Sequence, residues 1–300
     1  MDSVQHESRL DAASRRTSEA AAELRGLSPL ATAMLAIAAA AVSTLVVSMA
    51  RQRQRGEQAD KEEAAKQLAK LIVRVMADEE PEAPNAYVYA FHELDDNLPS
   101  LVEGVGRLRN ASHNALNVLV TNVSNADLAC PIEGWSGAEK LVPLLEARLD
   151  EDEDCVQLVP FPFTDMCHTL NEAKAVVDYC DARGVRDLII CAPPFHLPRA
   201  VMTTISVAIR ELPHLRIWAA SGPAQSWNEA AAHSQGKIFD SRAAFIDGEL
   251  ERIERYTAAG DIAPASAILA YLATRGTSGG VTIEQGAGGS GSAAASVASP

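Results

Sequence analysis

Between residues 86 and 221 two hydrophobic rhythms alternate along the chain. Five short runs, AYVYAF (86–91), LNVLVTNV (116–123), CVQLVPF (155–161), DLIICA (187–192) and LRIWAAS (215–221), are apolar at most positions. Between them lie segments whose apolar residues recur every three to four positions, such as Leu101, Val102, Val105 and Leu108, or Val201, Ile205, Ala208 and Leu212. Continuous apolar runs predict strands buried on both faces, and the longer period predicts amphipathic helices. Their alternation predicts a doubly wound α/β domain with a mainly parallel, five-stranded Rossmann-like sheet, covering residues 85–260. Gly184 predicts a helix C-terminal cap, and GVGRLRN (104–110) falls inside a helix rather than forming a phosphate loop. A further helix is expected within residues 239–262. The C-terminal extension, residues 261–300, ends in a Gly/Ser/Ala-rich tail after Arg275 whose composition predicts disorder.

Upstream of this rhythm the pattern changes. Residues 1–28 are polar. Within residues 29–50 lies LATAMLAIAAAAVSTLVVSMA (30–50), an uncharged run long enough to reach across a hydrocarbon core of about 30 Å. It predicts one transmembrane helix before the α/β domain, with the lipid bilayer contacted through residues 30–50. The run is too long, and starts too late, for a cleaved signal peptide. Arg51, Arg53 and Arg55 follow directly, with Lys61 and Lys66 behind them, so the positive-inside rule places the main domain of a single-pass protein on the cytosolic side. Residues 51–84 predict a juxtamembrane helix, apolar at Leu68, Leu71, Ile72 and Val75, and then a linker broken by Pro81 and Pro84.

Charge narrows the partners. Forty acidic against 26 basic side chains give a formal charge of −14, which repels phosphate backbones and excludes nucleic acid as a natural partner. The five cysteines show no CxxC pair or zinc spacing, and read as small buried hydrophobes. No spacing in the chain predicts a metal centre.

Ligands of open parallel sheets bind beyond the C-terminal ends of the strands. Three loops there carry candidate chemistry. In TDMCHTLNEA (164–173), Thr169 and Glu172 have capping-box spacing, which by itself accounts for both. In CAPPFHLPRA (191–200), Pro198 suits a first helical turn, whereas Arg199 opposes the helix dipole by about 0.3–1 kcal/mol. An anion held between Arg199 and His196 would offset that cost; an Arg reaching out to a surface carboxylate is the alternative. In FHELDDN (91–97), which holds His92, Glu93, Asp95 and Asp96, Glu93 or Asp95 offers a general acid/base or a Mg²⁺ ligand, or else the acids only complement the next helix. There is no GxxxxGK[ST] loop, no GxGxxG after the first strand and no G-x-S-x-G elbow.

The segment HTLNEAKAVVDYCDARGVRDLIICAPPFHLPRA (168–200) resembles the signature half of the YdcF/SanA/ElyC-like family, which has a Rossmann-like fold and often one membrane anchor. The matching positions are Thr169, Asn171 and Glu172, then His196, Arg199 and Ala200, with Arg107 standing for an arginine of the first helix. The resemblance and the residues agree that His196 and Arg199 flank the pocket; the expected site is ligand binding by Arg199, Thr169, Glu172 and Arg107, with catalysis by His196 and, from the residues of FHELDDN alone, by Glu93 and Asp95. The resemblance also implies a place in envelope or membrane-linked metabolism. No cofactor is fixed; S-adenosylmethionine follows from the family alone. The sequence thus predicts a membrane-anchored domain binding a small anionic, phosphate- or nucleotide-like ligand. The alternative is an inactive member acting as a membrane-associated interaction or scaffold protein, because FHELDDN and TNVSN (121–125) stand where the family has glycine turns.

Overall fold

The computed structural model describes residue 53 and residues 58–78, 86–112, 116–129, 132–135, 137–149, 155–162, 167–233 and 238–275. The chain divides into two compact units at Lys66 and Gln67. In the first, residues 58–66 are helical, with Glu62 and Lys66 paired at 2.8 Å. Among the described residues no helix is long and apolar enough to cross a membrane. The predicted span at residues 30–50 and the predicted disordered tail after Arg275 lie outside the described residues.

The second unit opens with helical residues 67–76 (α1). It continues β1 (Tyr87–Ala90), α2 (Leu98–Ala111), β2 (Asn117–Asn122), α3 (Ala138–Arg148), β3 (Val156–Pro160), α4 (Thr169–Arg183), β4 (Asp187–Ala192), α5 (Leu197–Glu211) and β5 (Arg216–Ser221). The five strands form one all-parallel sheet in the order β3-β2-β1-β4-β5, with Tyr87 opposite Asn117 on one side and Leu188 on the other. This is the doubly wound α/β arrangement that the alternating pattern predicts.

Successive side chains of a strand point to opposite faces, and here both faces are covered. Tyr89, Leu119, Val159, Ile190 and Ile217 pack with α4 and α5 on one face. Val88, Ala90, Val118, Val120 and Ile189 pack with α2 and α3 on the other. That double burial is why the strands read as unbroken apolar runs. The helices after β1 and β4 leave to opposite faces although the strands are neighbours, so a crevice opens between their C-terminal ends. Gly184 closes α4 at φ 65°, as predicted. Gly104 within α2 allows a close crossing: a Cβ there would lie 2.8 Å from the Gly222 Cα after β5.

Beyond β5 the chain forms an antiparallel hairpin, β6 (Ala230–His233) with β7 (Ile238–Ser241), then α6 (Arg242–Ala259) and α7 (Ala265–Thr274). The hairpin takes the first residues that were expected to be helical, so α6 starts three positions after Phe239, with Ser241 as its N-cap. The packed fold also runs past residue 260. Ile268, Tyr271 and Leu272 of α7 and Leu71 and Val75 of α1 join the core on the α5 face. Together they finish the outer edge of β5. The Tyr271 hydroxyl accepts from the Ile217 N–H at 2.9 Å and donates to the Leu215 carbonyl at 2.5 Å, while the Ala219 N–H donates to Asp78 at 2.9 Å. Arg275 donates to the Ile217 carbonyl at 2.6 Å and to Asp78 at 2.7 Å, and stacks 4.0 Å over the Trp218 ring. Side chains thus meet backbone groups that would otherwise invite another strand.

Candidate functional site

The crevice between the ends of β1 and β4 holds a cavity of about 630 Å³, within the usual range for small-molecule sites. Three buried histidine–glutamate pairs form around it.

The loop after β1 supplies two neighbours that turn to different partners. His92 Nδ1 lies 3.2 Å from Glu172 Oε1 and 2.8 Å from the Thr121 hydroxyl at the end of β2. Glu172 also accepts from the His92 backbone N–H at 3.0 Å and from the Tyr89 hydroxyl at 3.0 Å. Burial alone would raise the Glu172 carboxyl, but the His92 ring and amide outweigh it and bring it below its ordinary value. Burial, followed by the Glu172 charge, drives the Tyr89 hydroxyl well above its ordinary value, so it remains a donor. Glu93 instead reaches His196, whose Nδ1 makes a short hydrogen bond to it. The other ring nitrogen of His196 stands 3.4 Å from the Thr169 hydroxyl.

Arg199, in the first turn of α5, donates to the same Thr169 hydroxyl through Nη1. Its Nε and Nη2 both engage Glu249 of α6, the latter at 3.1 Å. Glu249 further pairs with His233 of β6 at 2.6 Å and with Arg252 at 3.1 Å. Burial alone would raise the Glu249 carboxyl; the Arg199 guanidinium and the His233 ring overcome this and hold it well below the usual carboxylate range. The arginine that opposes its own helix dipole is thus held by a buried carboxylate from a later helix, not by a surface acid.

Of the predicted site residues, the fold brings Glu93, Thr169, Glu172, His196 and Arg199 to the cavity. It does not bring Asp95 or Arg107 there. Asp95 sits in the single turn Asp95–Asn97 and pairs with Lys140 at 2.7 Å, its side chain 43% exposed. Arg107 is exposed on α2, away from the lining. The capping box does not form either. His168 is the N-cap of α4, accepting from the Asn171 N–H at 3.3 Å, because Thr169 faces Arg199 and His196 while Glu172 faces β1.

Three further groups escape the sequence reading, whereas the place of His92 directly after a strand, in FHELDDN, marks it as a candidate. Thr121 ends a strand, and nothing local distinguishes it. His233 and Glu249 come from the hairpin and α6, whose docking no local pattern encodes.

Chemically, Glu93, His196 and Thr169 form a carboxylate–imidazole–hydroxyl series, the order in which a base is oriented and a hydroxyl activated. Arg199, Arg252 and Arg255 on the lining supply positive charge, and Trp135, Leu94 and Ile132 supply an apolar wall. No family model and no curated protein matches this chain.

Proposed function

We propose that this protein is a single-pass, membrane-anchored α/β domain of the YdcF/SanA/ElyC-like kind. Its cavity binds a small anionic molecule, phosphate- or nucleotide-like, and acts on it by general acid–base chemistry. The anchor and the cytosolic placement of the domain rest on the uncharged run at residues 30–50 and the arginines after it.

One observation carries the ligand-binding reading. His196 and Arg199 converge on the Thr169 hydroxyl inside one cavity, at the point where the sheet changes winding direction. His196, oriented by Glu93, moves a proton at its Nε2. Arg199, Arg252 and Arg255 orient the anion, although Glu249 offsets part of their charge.

The test is a thermal-shift series on the full chain in detergent with inorganic phosphate, nucleoside diphosphates, S-adenosylmethionine and lipid-linked sugar phosphates. A rise in melting temperature with one of these, lost in His196→Gln and in Arg199→Lys, supports the reading. Silence toward all of them refutes it and leaves the interaction-protein alternative.

A further inference from the structure

We infer that His92, Cys167 and Glu172 form a binding site for a divalent transition-metal ion of the zinc type. A ring nitrogen of His92, the Cys167 sulfur and a Glu172 oxygen lie within 4.8 Å of one another, and all three residues are buried on the wall of the cavity. They come from three different places: the end of β1, the approach to α4, and the first turn of α4.

Nδ1 is the His92 nitrogen that faces Glu172, 3.2 Å from its Oε1, with the Thr121 hydroxyl at 2.8 Å. It is therefore the nitrogen offered to the metal, and Nε2, buried on the far side of the ring, keeps the ring proton.

The donor set selects the metal. One thiolate, one imidazole and one carboxylate suit zinc or its first-row neighbours, whereas Mg²⁺ and Ca²⁺ call for oxygen donors. With metal–ligand bonds of about 2.0–2.3 Å, His92 Nδ1 and Glu172 Oε1, 3.2 Å apart, already stand at tetrahedral spacing, and the Cys167 sulfur lies within 4.8 Å of both. Three protein ligands leave a fourth position, and the shared wall directs it to the cavity. Sites of that kind hold water or an exchangeable ligand. The inference stands on these residues whether or not an anion binds beside Arg199.

The experiment uses the full chain in detergent with no anionic ligand added. Cobalt(II) serves as a spectroscopic probe and zinc is used for affinity. The wild type is expected to give a thiolate-to-cobalt charge-transfer absorption that zinc displaces, with zinc bound at least about 100-fold more weakly by Cys167→Ser. Absence of the band, or its persistence in Cys167→Ser, overturns the proposal. X-ray absorption of the zinc-loaded wild type avoids dependence on the variant's folding. A single sulfur with nitrogen or oxygen donors supports the site; no sulfur, or more than one, rejects it.

Discussion

Arg199 and Glu249, fifty residues apart in sequence, meet through two nitrogens of one guanidinium in a buried setting. Breaking a buried pair by removing one partner leaves an uncompensated charge and costs about 3–5 kcal/mol. Arg199→Ala is therefore expected to destabilise the domain by about that amount, measured by chemical denaturation. Adding Glu249→Gln should recover much of the loss, since coupled sites do not add. Destabilisation of the double variant by the sum of the two single losses would show that the pair is not coupled. This is why Arg199→Lys, and not Arg199→Ala, suits the ligand test.

Acid should weaken the fold through the same carboxylate. Glu249 has a folded-state value below its unfolded one, so the unfolded chain binds more protons in the intervening range and stability rises with pH there. The stabilisation is complete above the unfolded value of about 4.3 and is lost as pH falls below it. Glu249→Gln should flatten the slope of unfolding free energy between about pH 2 and 4.5, measured by urea titrations across that range. An unchanged slope would contradict the role of Arg199 and His233 as its partners.

The Thr169 hydroxyl serves Arg199 and His196 together. Thr169→Val should cost about 1–3 kcal/mol by leaving buried donors unmet, while Thr169→Ser should stay close to wild type. Denaturation midpoints decide this. Equal stability of the two variants would mean that the hydroxyl contributes nothing.

Tyr271 closes the β5 edge by accepting from the Ile217 N–H and donating to the Leu215 carbonyl. Tyr271→Phe should destabilise by about 1–3 kcal/mol and speed hydrogen exchange at the Ile217 amide. Unaltered exchange there would show that α7 does not protect the edge.

Burial pushes the thiols of Cys180 and Cys191 up to about 12. At about pH 8 the reactive thiolate is then about one part in ten thousand. Both should resist iodoacetamide in the folded chain and react fully in denaturant, read by mass spectrometry. Ready labelling of either without denaturant would contradict its buried environment.

The pattern of residues along the chain was sufficient for the five-stranded sheet and the helices that cover it, but not for the β6–β7 hairpin or for α7. Short runs such as DLIICA suit strands covered on both faces, and the helical segments between them supply the crossovers that neighbouring parallel strands need. Local signals also marked Gly184 as a cap and placed Glu93, His196 and Arg199 at strand ends. The tertiary structure decided which of these groups meet. Glu93 finds His196 at a separation of 103 residues, and His92 finds Glu172 at 80, because β1 lies between β2 and β4 in the sheet. Nothing in FHELDDN distinguishes His92, which faces the cavity, from Asp95, which turns to Lys140. Thr169 and Glu172 have the spacing of a capping box but serve other partners, since long-range hydrogen bonds to buried groups outweigh a local cap. Hydrophobic periodicity is local and survives in sequence. The convergence of polar side chains depends on strand order and docking, which no short stretch of chain contains.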